Sequence, residues 1–484
     1  MVWRRDRTPA WVHHGKLEQP RKADFQGRFS NLTVVITERL CDSRVATGGQ
    51  ELRVRGMWLL DKILRRVIHQ GRFHLTDYNG REYDYGDPSA SPISVRLTDK
   101  GAAMHIARHL DVGAGEAYMR GRLVVLPPHD IRDMVLLFMA NANSIQGAMK
   151  PANPLRHKLN VLGGKLNQFN VRGRASRNVK HHYDLTRQFY ELFLDEDRQY
   201  TMAYFRDPAN SLERAQLDKK ALIAAKLRLA PGKSGHLRVL DIGCGWGGLA
   251  LYLNRHYGCE VLGVSLAPDQ IKFAQERAAE MGVADKVKFQ LIDYRDVEGQ
   301  FDRITSVGMV EHVGKPHLQE YFTKTNALLK DDGIMLTHTI GRARGPGVTD
   351  KWTRKYIFPG GYIPALSEFT TALEKGGWQV GDVEVLRFHY AYTLQEWYRR
   401  AKLHEAEITA LYSAEMFRMW QYYLVGAEQS FITGSMVNFH IQSVKQRGVL
   451  PMTRDYMDIE ATRLRAIDQE PAWHLDPAFQ EAAE

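Results

Sequence analysis

The chain has 484 residues, of which 44% are hydrophobic and 25% charged, with 40 glycines and 18 prolines. That length suits two or three domains, and the composition excludes a collagen, a coiled coil and wholesale disorder. The formal charge of +10 at pH 7 suits work against a polyanion or an anionic lipid surface.

Three cysteines, Cys41, Cys244 and Cys259, stand at spacings that form no metal-ligand pair. Neither a disulfide framework nor a metal site is expected, and a reducing cytoplasm is. Residues 1–50 read as a poorly ordered lead-in with one strand-like stretch, "LTVVITERL". The first twenty residues are basic but lack the apolar core of a secretory signal, and no window reaches the length of a membrane-spanning helix.

In "MWLLDKILRRVIHQG" a helix is predicted, with Leu59, Leu60, Ile63, Leu64, Val67 and Ile68 on one face and Arg65 and Arg66 opposite. Such a face serves either its own domain or a lipid interface. Short strands are predicted in "RFHLTDYNG", "SPISVRLTD" and "GRLVVLPP", then a helix from about Ile131, so 51–149 reads as a small α+β domain. The linker 150–182 is basic. From Lys150 to Tyr183 the chain carries Arg156, Lys158, Lys165, Arg172, Arg174, Arg177 and Lys180 and no acid. It reads as a solvated connector or as a lipid contact. Nucleic acid is disfavoured, because no recognition module accompanies the charge and aromatic residues are sparse within it.

"NVKHHYDLTRQFYELFLD" predicts a helix with Leu185, Phe189, Leu192 and Phe193 on one side. From about 237 strands and helices alternate: "LRVLDIG", "CEVLGVSL", a helix opened by Pro268, "KVKFQLIDY", "FDRITSVGMV", a helix over "HLQEYFTKTNALL", and "GIMLTHTIG". Continuous apolar strands between helices imply a parallel sheet covered on both faces, a doubly wound α/β fold.

The turn in "VLDIGCGWGGLALYL" places Gly243, Gly245, Gly247 and Gly248 between strand and helix. Dinucleotide folds use such turns, but Asp241 ends the strand where a pyrophosphate would be repelled, and Ser265 stands where NAD folds present an acid. S-adenosylmethionine, with a sulfonium, an ammonium and no phosphate, suits that acid better. Ligands in such sheets bind at the carboxyl ends of strands. Ser265 and Gln270 are then placed to reach the ribose hydroxyls, and Asp293 and Tyr294 to lie beside the adenine. Glu311 in "VGMVEHVG" and His338 in "LTHTIG" fall at the same sheet edge. An acid near a helix cap and a satisfied core histidine are their structural readings. "RFHYAYTLQEW" reads as a packed antiparallel strand, or as the support that turns the Tyr390 hydroxyl into the cleft.

These stretches, together with "HHYDLTRQFYELFLDEDRQYTMAYF", "GVSLAPDQIKFAQ", "KYIFPGGYIP" and "HYAYTLQEWY", resemble the cyclopropane-fatty-acyl-phospholipid synthase and mycolic acid cyclopropane synthase family over roughly 178–450. The resemblance implies a Rossmann-like class I methyltransferase domain over 183–450, followed by a C-terminal tail, 451–484. The N-terminal part, with "GEAYMRG", resembles the additional lipid-associated domain of bacterial members.

The implied reaction joins the methyl of S-adenosylmethionine to a cis double bond in a membrane phospholipid acyl chain. A carbocation results, and bound bicarbonate removes its proton as the ring closes. The resemblance assigns bicarbonate to Glu311, His338, Tyr390 and the amides of Met202 and Ile340, and donor contacts to Tyr183, Tyr200 and Thr201. It also implies a homodimer that works from the cytoplasm on the surface of the inner membrane. Met202 in "YTMAYF" and Ala427 in "YYLVGAEQSF" replace cysteines common in the family. That leaves a methyl-branched or methylated unsaturated product open. A small soluble acceptor and a non-catalytic lipid-binding relative are the other readings.

Overall fold

The computed structural model describes residues 51–142 and 185–468. The lead-in, the basic linker and Tyr183 therefore lie outside the described residues. Helix α1 (Glu51–Val67) turns Leu59, Leu60, Ile63, Leu64 and Val67 into the core, so the apolar stripe is covered by its own domain. Strands β1 (Arg72–Thr76), β2 (Glu82–Gly86), β3 (Pro92–Leu97) and β4 (Leu123–Val125) form a sheet in the order β2-β1-β3-β4. Only β1 and β3 run parallel. Helices α2 (Ala102–Arg108) and α3 (Gly113–Met119) stand between β3 and β4, and α3 is built from the "GEAYMRG" stretch. Helix α4 (Ile131–Ala140) opens on a capping box between Asp130 and Asp133.

The segment before the second sheet is less helical than its periodicity predicts. Helix α5 (Arg187–Glu191) is five residues long, because Phe189, Tyr190 and Phe193 are held by an aromatic cluster rather than by a helix stripe. Helix α6 (Leu212–Lys226) follows, its first turn capped by Ser211. Then come β5 (Arg238–Ile242), α7 (Gly248–Tyr257), β6 (Glu260–Ser265), α8 (Pro268–Glu280), β7 (Val287–Leu291), β8 (Phe301–Val307), α9 (Leu318–Leu328) and β9 (Leu329–Arg342). Helices α10 (Lys351–Tyr356) and α11 (Leu366–Lys375), strand β10 (Gln379–Leu386), helices α12 (His389–Leu403), α13 (Glu405–Leu411) and α14 (Ala414–Ile432), strand β11 (Met436–Val444) and helix α15 (Asp455–Ile467) complete the described chain.

The sheet order is β10-β11-β9-β8-β5-β6-β7. Five strands are parallel, as their continuous apolar pattern requires, while β11 runs antiparallel between β9 and β10. The fold is a mixed α/β one whose sheet ends in an antiparallel pair. Tyr390 stands on a helix, not on a strand. Tyr390, Leu394, Trp397 and Ala401 recur at helical spacing and are buried together on α12. The stretch after 451 carries α15, which buries Met457, Ala461 and Leu464 against α6.

Two sets of contacts fix the elements around the site. Arg400 of α12 donates to both carboxylate oxygens of Glu213 on α6, at 2.7 and 2.8 Å, and both side chains are buried. The small domain docks on α14 and α12. Arg132 pairs with Glu428, Tyr118 donates to Gln421 at 3.0 Å, and Tyr398 donates to Asp130 at 3.0 Å. Among the described residues no helix is long and apolar enough to cross a membrane.

Candidate active site

At the carboxyl ends of β5, β6 and β8 a cleft opens, lined by Asp241, Gly243, Gly245, Ser265, Gln270, Asp293 and Tyr294, with Tyr200 and Thr201 closing one side. Every described residue expected to meet the donor lines this cleft except Gly247. An added methyl at Gly247 would meet Phe289 Cζ at 2.7 Å and Ala274 Cβ at 2.8 Å, on a backbone with φ +83°. Gly247 therefore allows α7 to pack on the sheet. Gly245 has φ +54° and open space around an added methyl, so it is the glycine whose bareness keeps the cleft free. Gly247→Ala is expected to destabilise the fold by about 1–3 kcal/mol, read as a lower urea midpoint. Gly245→Ala should cost about 1 kcal/mol and act mainly on ligand affinity.

Asp241 is 2% exposed and its Oδ2 has no hydrogen-bond partner. Burial pushes its carboxyl up to about 7, and the nearby Lys219 ammonium pulls in the other direction. An orphaned acid beside a bare glycine turn fits a cationic ligand. Lys219, unremarked by the sequence pattern, is wholly buried and donates at 2.8 Å to both Gln199 Oε1 and Thr201 Oγ1. It ties the segment bearing Tyr200 and Thr201 to α6. Ser265 Oγ accepts from the Ala267 amide at 3.3 Å. The Asp293 carboxylate is bound by its own neighbour, accepting from Arg295 Nε at 2.9 Å and Nη2 at 2.6 Å. Tyr200 stacks on Trp397, centroids 5.1 Å apart, and on Trp420 at 6.3 Å, with Tyr190 and Phe193 edge-on to it.

Glu311, His338, Tyr390, Met202 and Ile340 lie behind the cleft wall. None lines it, although Thr201 and Met309, close to them in the chain, do. Met202 and Tyr390 share one buried cluster, against which Ile340 and Ala427 pack. The join between the "YTMAYF" stretch and α12 is explicit. The Ala203 amide donates to Thr393 Oγ1 at 2.9 Å and the Phe205 amide to His389 Nδ1 at 3.1 Å. The Tyr390 ring stacks on Phe431 at 4.9 Å.

Glu311 leaves β8 on a short 3₁₀ turn, and its Oε1 accepts from the Ile340 amide at 2.6 Å. Its Oε2 is buried without a hydrogen-bond partner, and burial pushes the carboxyl up to about 7 against the Ile340 amide, which favours the anion. The amide expected to hold an anion is thus already engaged by Glu311. His338 is likewise engaged, its Nδ1 2.7 Å from His440 Nε2 and its Nε2 2.5 Å from the Asn438 amide. An anion that carries its own O–H donor fits here, because it can donate to the orphaned Glu311 Oε2.

Asn438, His440 and Lys226 were not foreseen. Their signal lay in "MVNFHIQSV", where Val437, Phe439 and Ile441 alternate with polar residues. The polar set reads as solvent-facing, yet it is buried beneath α6.

The Mycolic acid cyclopropane synthetase family model matches residues 171–441. A probable fatty acid methyltransferase of Pseudomonas putida is 39% identical over 292 residues, 58% of this chain and 73% of its own. The cyclopropane-fatty-acyl-phospholipid synthase of Escherichia coli (strain K12) is 36% identical over 344 residues, 71% of this chain and 85% of its own. Among solved structures, the mycolic acid cyclopropane synthase CmaA1 complexed with SAH and CTAB is 30% identical, with a TM-score of 0.52 over 55% of this chain and 97% of its own.

Proposed function

The chain belongs to the mycolic acid cyclopropane synthetase family of S-adenosylmethionine-dependent methyltransferases, and from that premise we propose that it converts a cis double bond in a phospholipid acyl chain to a cyclopropane. The observation that carries this reading is the pair of orphaned buried acids, Asp241 Oδ2 in the cleft and Glu311 Oε2 behind its wall. One suits a cationic donor. The other suits removal of a proton away from water.

S-adenosylmethionine supplies a methyl group on a positive sulfur. Asp241 would meet the positive end, the glycine turn would admit it, and Ser265 and Gln270 would hold the ribose hydroxyls. Asp293 and Tyr294 would hold the adenine, with Tyr200 and Thr201 on the remaining side of the cleft. An alkene is a weak nucleophile, so alignment and exclusion of water carry most of the catalysis. Trp397 and Trp420, stacked on Tyr200, keep that wall dry, and Tyr200 is the ring of the three that lines the cleft where a carbocation would develop. Glu311 Oε2, accepting from the bicarbonate O–H, and the Tyr390 hydroxyl and the Met202 amide, donating to its oxygens, would hold bicarbonate, which would supply the base. His338 and Ile340 position that corner, through His440 and through Glu311.

The phospholipid acceptor is supported by the name of the Escherichia coli relative, and the basic linker suits anionic headgroups. A second reading is a methyl-branched or methylated unsaturated chain. Met202 and Ala427 favour it, since both family departures fall in the cluster that holds Tyr390, and the Pseudomonas relative is named only a fatty acid methyltransferase.

The test is product analysis with methyl-labelled S-adenosylmethionine and vesicles of cis-unsaturated phospholipid. Labelled cyclopropane methylene is the expected result. Labelled branched chains without a ring would favour the second reading, and unlabelled lipid with bound donor would remove both.

A further inference from the structure

The inward face of β11 presents Asn438, His440 and Gln442, each at most 1% exposed, on a strand whose other face is apolar. An apolar inward face would fold at least as well. His440 sits opposite His338 of β9 in the sheet register. His338 Nδ1 lies 2.7 Å from His440 Nε2, and His440 Nδ1 lies 3.1 Å from Lys226 Nζ. Lys226 closes an ion pair with Glu384 of β10, whose side chain is 26% exposed. At the inner end, His338 Nε2 faces the Asn438 amide at 2.5 Å, and Asn438 Oδ1 is buried without a partner. The row thus runs from the strand segment that meets Glu311 to the protein surface.

We propose that His338, His440 and Lys226 form the route by which the proton released at ring closure leaves the buried site toward Glu384 and water. This rests on the functional reading above, in which a proton is produced beside Glu311.

Hydrogens can be placed along the row in two complete ways. With Lys226 neutral, Asn438 Nδ2 donates to His338 Nε2, His338 Nδ1 donates to His440 Nε2, and His440 Nδ1 donates to Lys226 Nζ. With Lys226 an ammonium, every arrow reverses, and His338 Nε2 donates to Asn438 Oδ1 once the amide has turned over. The unpartnered Oδ1 is the acceptor that the second arrangement needs. Passing from the first to the second takes up one proton at His338 Nε2 and forms one N–H bond at Lys226 Nζ. Each ring gains one proton and gives one up, and no electrons are transferred between groups. Lys226 then releases its proton to Glu384, and the rings and amide turn back.

The surroundings suit transit rather than storage. Burial, with Lys226 and Lys219 nearby, holds both imidazoles well below the usual histidine range, so neither ring retains the charge. Burial also lowers Lys226, against the pull of Glu384. The other charged or titratable groups facing the row are Lys219 on α6, Asp382 on β10, Arg454 ahead of α15, and His389 at the start of α12.

His440→Gln retains a hydrogen-bonding side chain but cannot pass a proton on. With the donor and cis-unsaturated phospholipid vesicles, kcat for ring formation should fall about tenfold or more while KM for the donor stays within about twofold. The solvent deuterium isotope effect on kcat should rise. His440→Ala should be partly rescued by added imidazole, a response that a merely structural histidine would not give. Lys226→Gln, whose main-chain oxygen still accepts from Gln442 Nε2, provides a second variant should the first fold poorly. Unchanged kcat, or a fall with neither isotope response nor rescue, would overturn the route alone. Absence of ring product from the wild-type protein would overturn the functional reading and the route with it.

Discussion

Asp241→Asn should weaken S-adenosylmethionine binding by two to three orders of magnitude, about 10²–10³-fold, and, at pH 8, raise the melting temperature of the ligand-free protein. Both effects come from one buried carboxyl whose Oδ2 has no partner. Its pKa in the folded protein is pushed up to about 7 by burial, against about 3.9 in an unfolded chain. Between those values the folded protein binds the proton and the unfolded chain does not, so stability falls as pH rises from about 4 to about 7. Three units at 1.36 kcal/mol set an upper bound of about 4 kcal/mol on that loss.

Asparagine removes the charge but leaves a buried amide. A net gain of about 1–2 kcal/mol, or about 2–6 °C, is therefore expected at pH 8, and none at pH 4. Donor affinity should fall about 10²–10³-fold, the scale of losing one partner of a buried ion pair. In the wild-type protein, protons compete with the donor's positive group, so affinity should weaken about tenfold per unit as pH falls below 7. Calorimetric titration at pH 8 and pH 6, with thermal melts of the ligand-free forms, measures all three. An Asp241→Asn Kd within threefold of wild type would remove Asp241 from the donor site.

Such a trade of stability for binding also marks where the sequence was legible. The parallel strands announced themselves by continuous apolar runs, and Asp241, Gly243, Gly245 and Ser265 at the strand ends, with Gln270 in the first turn of α8, meet in the cleft because the topology leaves them nowhere else. The failures have physical causes. The stretch bearing Tyr390 is crowded with aromatics, which strands and helices both accept, and only the three- and four-residue spacing of its buried members separates the two. Strand β11 alternates as a half-exposed strand would, but α6 covers its polar face, and no local pattern reports what packs there. Lys219 and Lys226 were passed over for the same reason. A lysine in a helix reads as solvent-facing until its contacts with Thr201 and His440 are seen. The residues that line the cleft were readable, and those that hold it in place from α6 and β11 were not.

Glu311→Gln should then separate binding from turnover. Glutamine has the shape of glutamate, and its Oε1 can keep the 2.6 Å hydrogen bond from the Ile340 amide. The β8–β9 corner and the donor cleft should both persist, and donor Kd should stay within about twofold. Only the capacity to take up a proton is lost, at the orphaned Oε2. Because burial pushes the Glu311 carboxyl up to about 7, the acid is half-ionised near neutrality. A group that must accept a proton makes kcat rise with pH through that value. The wild-type profile should show this inflection, and the variant should lose it along with about 10³–10⁴ of kcat. The raised pKa acts on stability with the same sign as at Asp241, so the variant should be no less stable than wild type at pH 8. A variant with kcat within fivefold of wild type, or one whose donor affinity falls in step with kcat, would show that Glu311 only braces Ile340. Retained binding with lost turnover would show that Glu311 takes up the proton that bicarbonate passes on, behind the wall of the donor cleft.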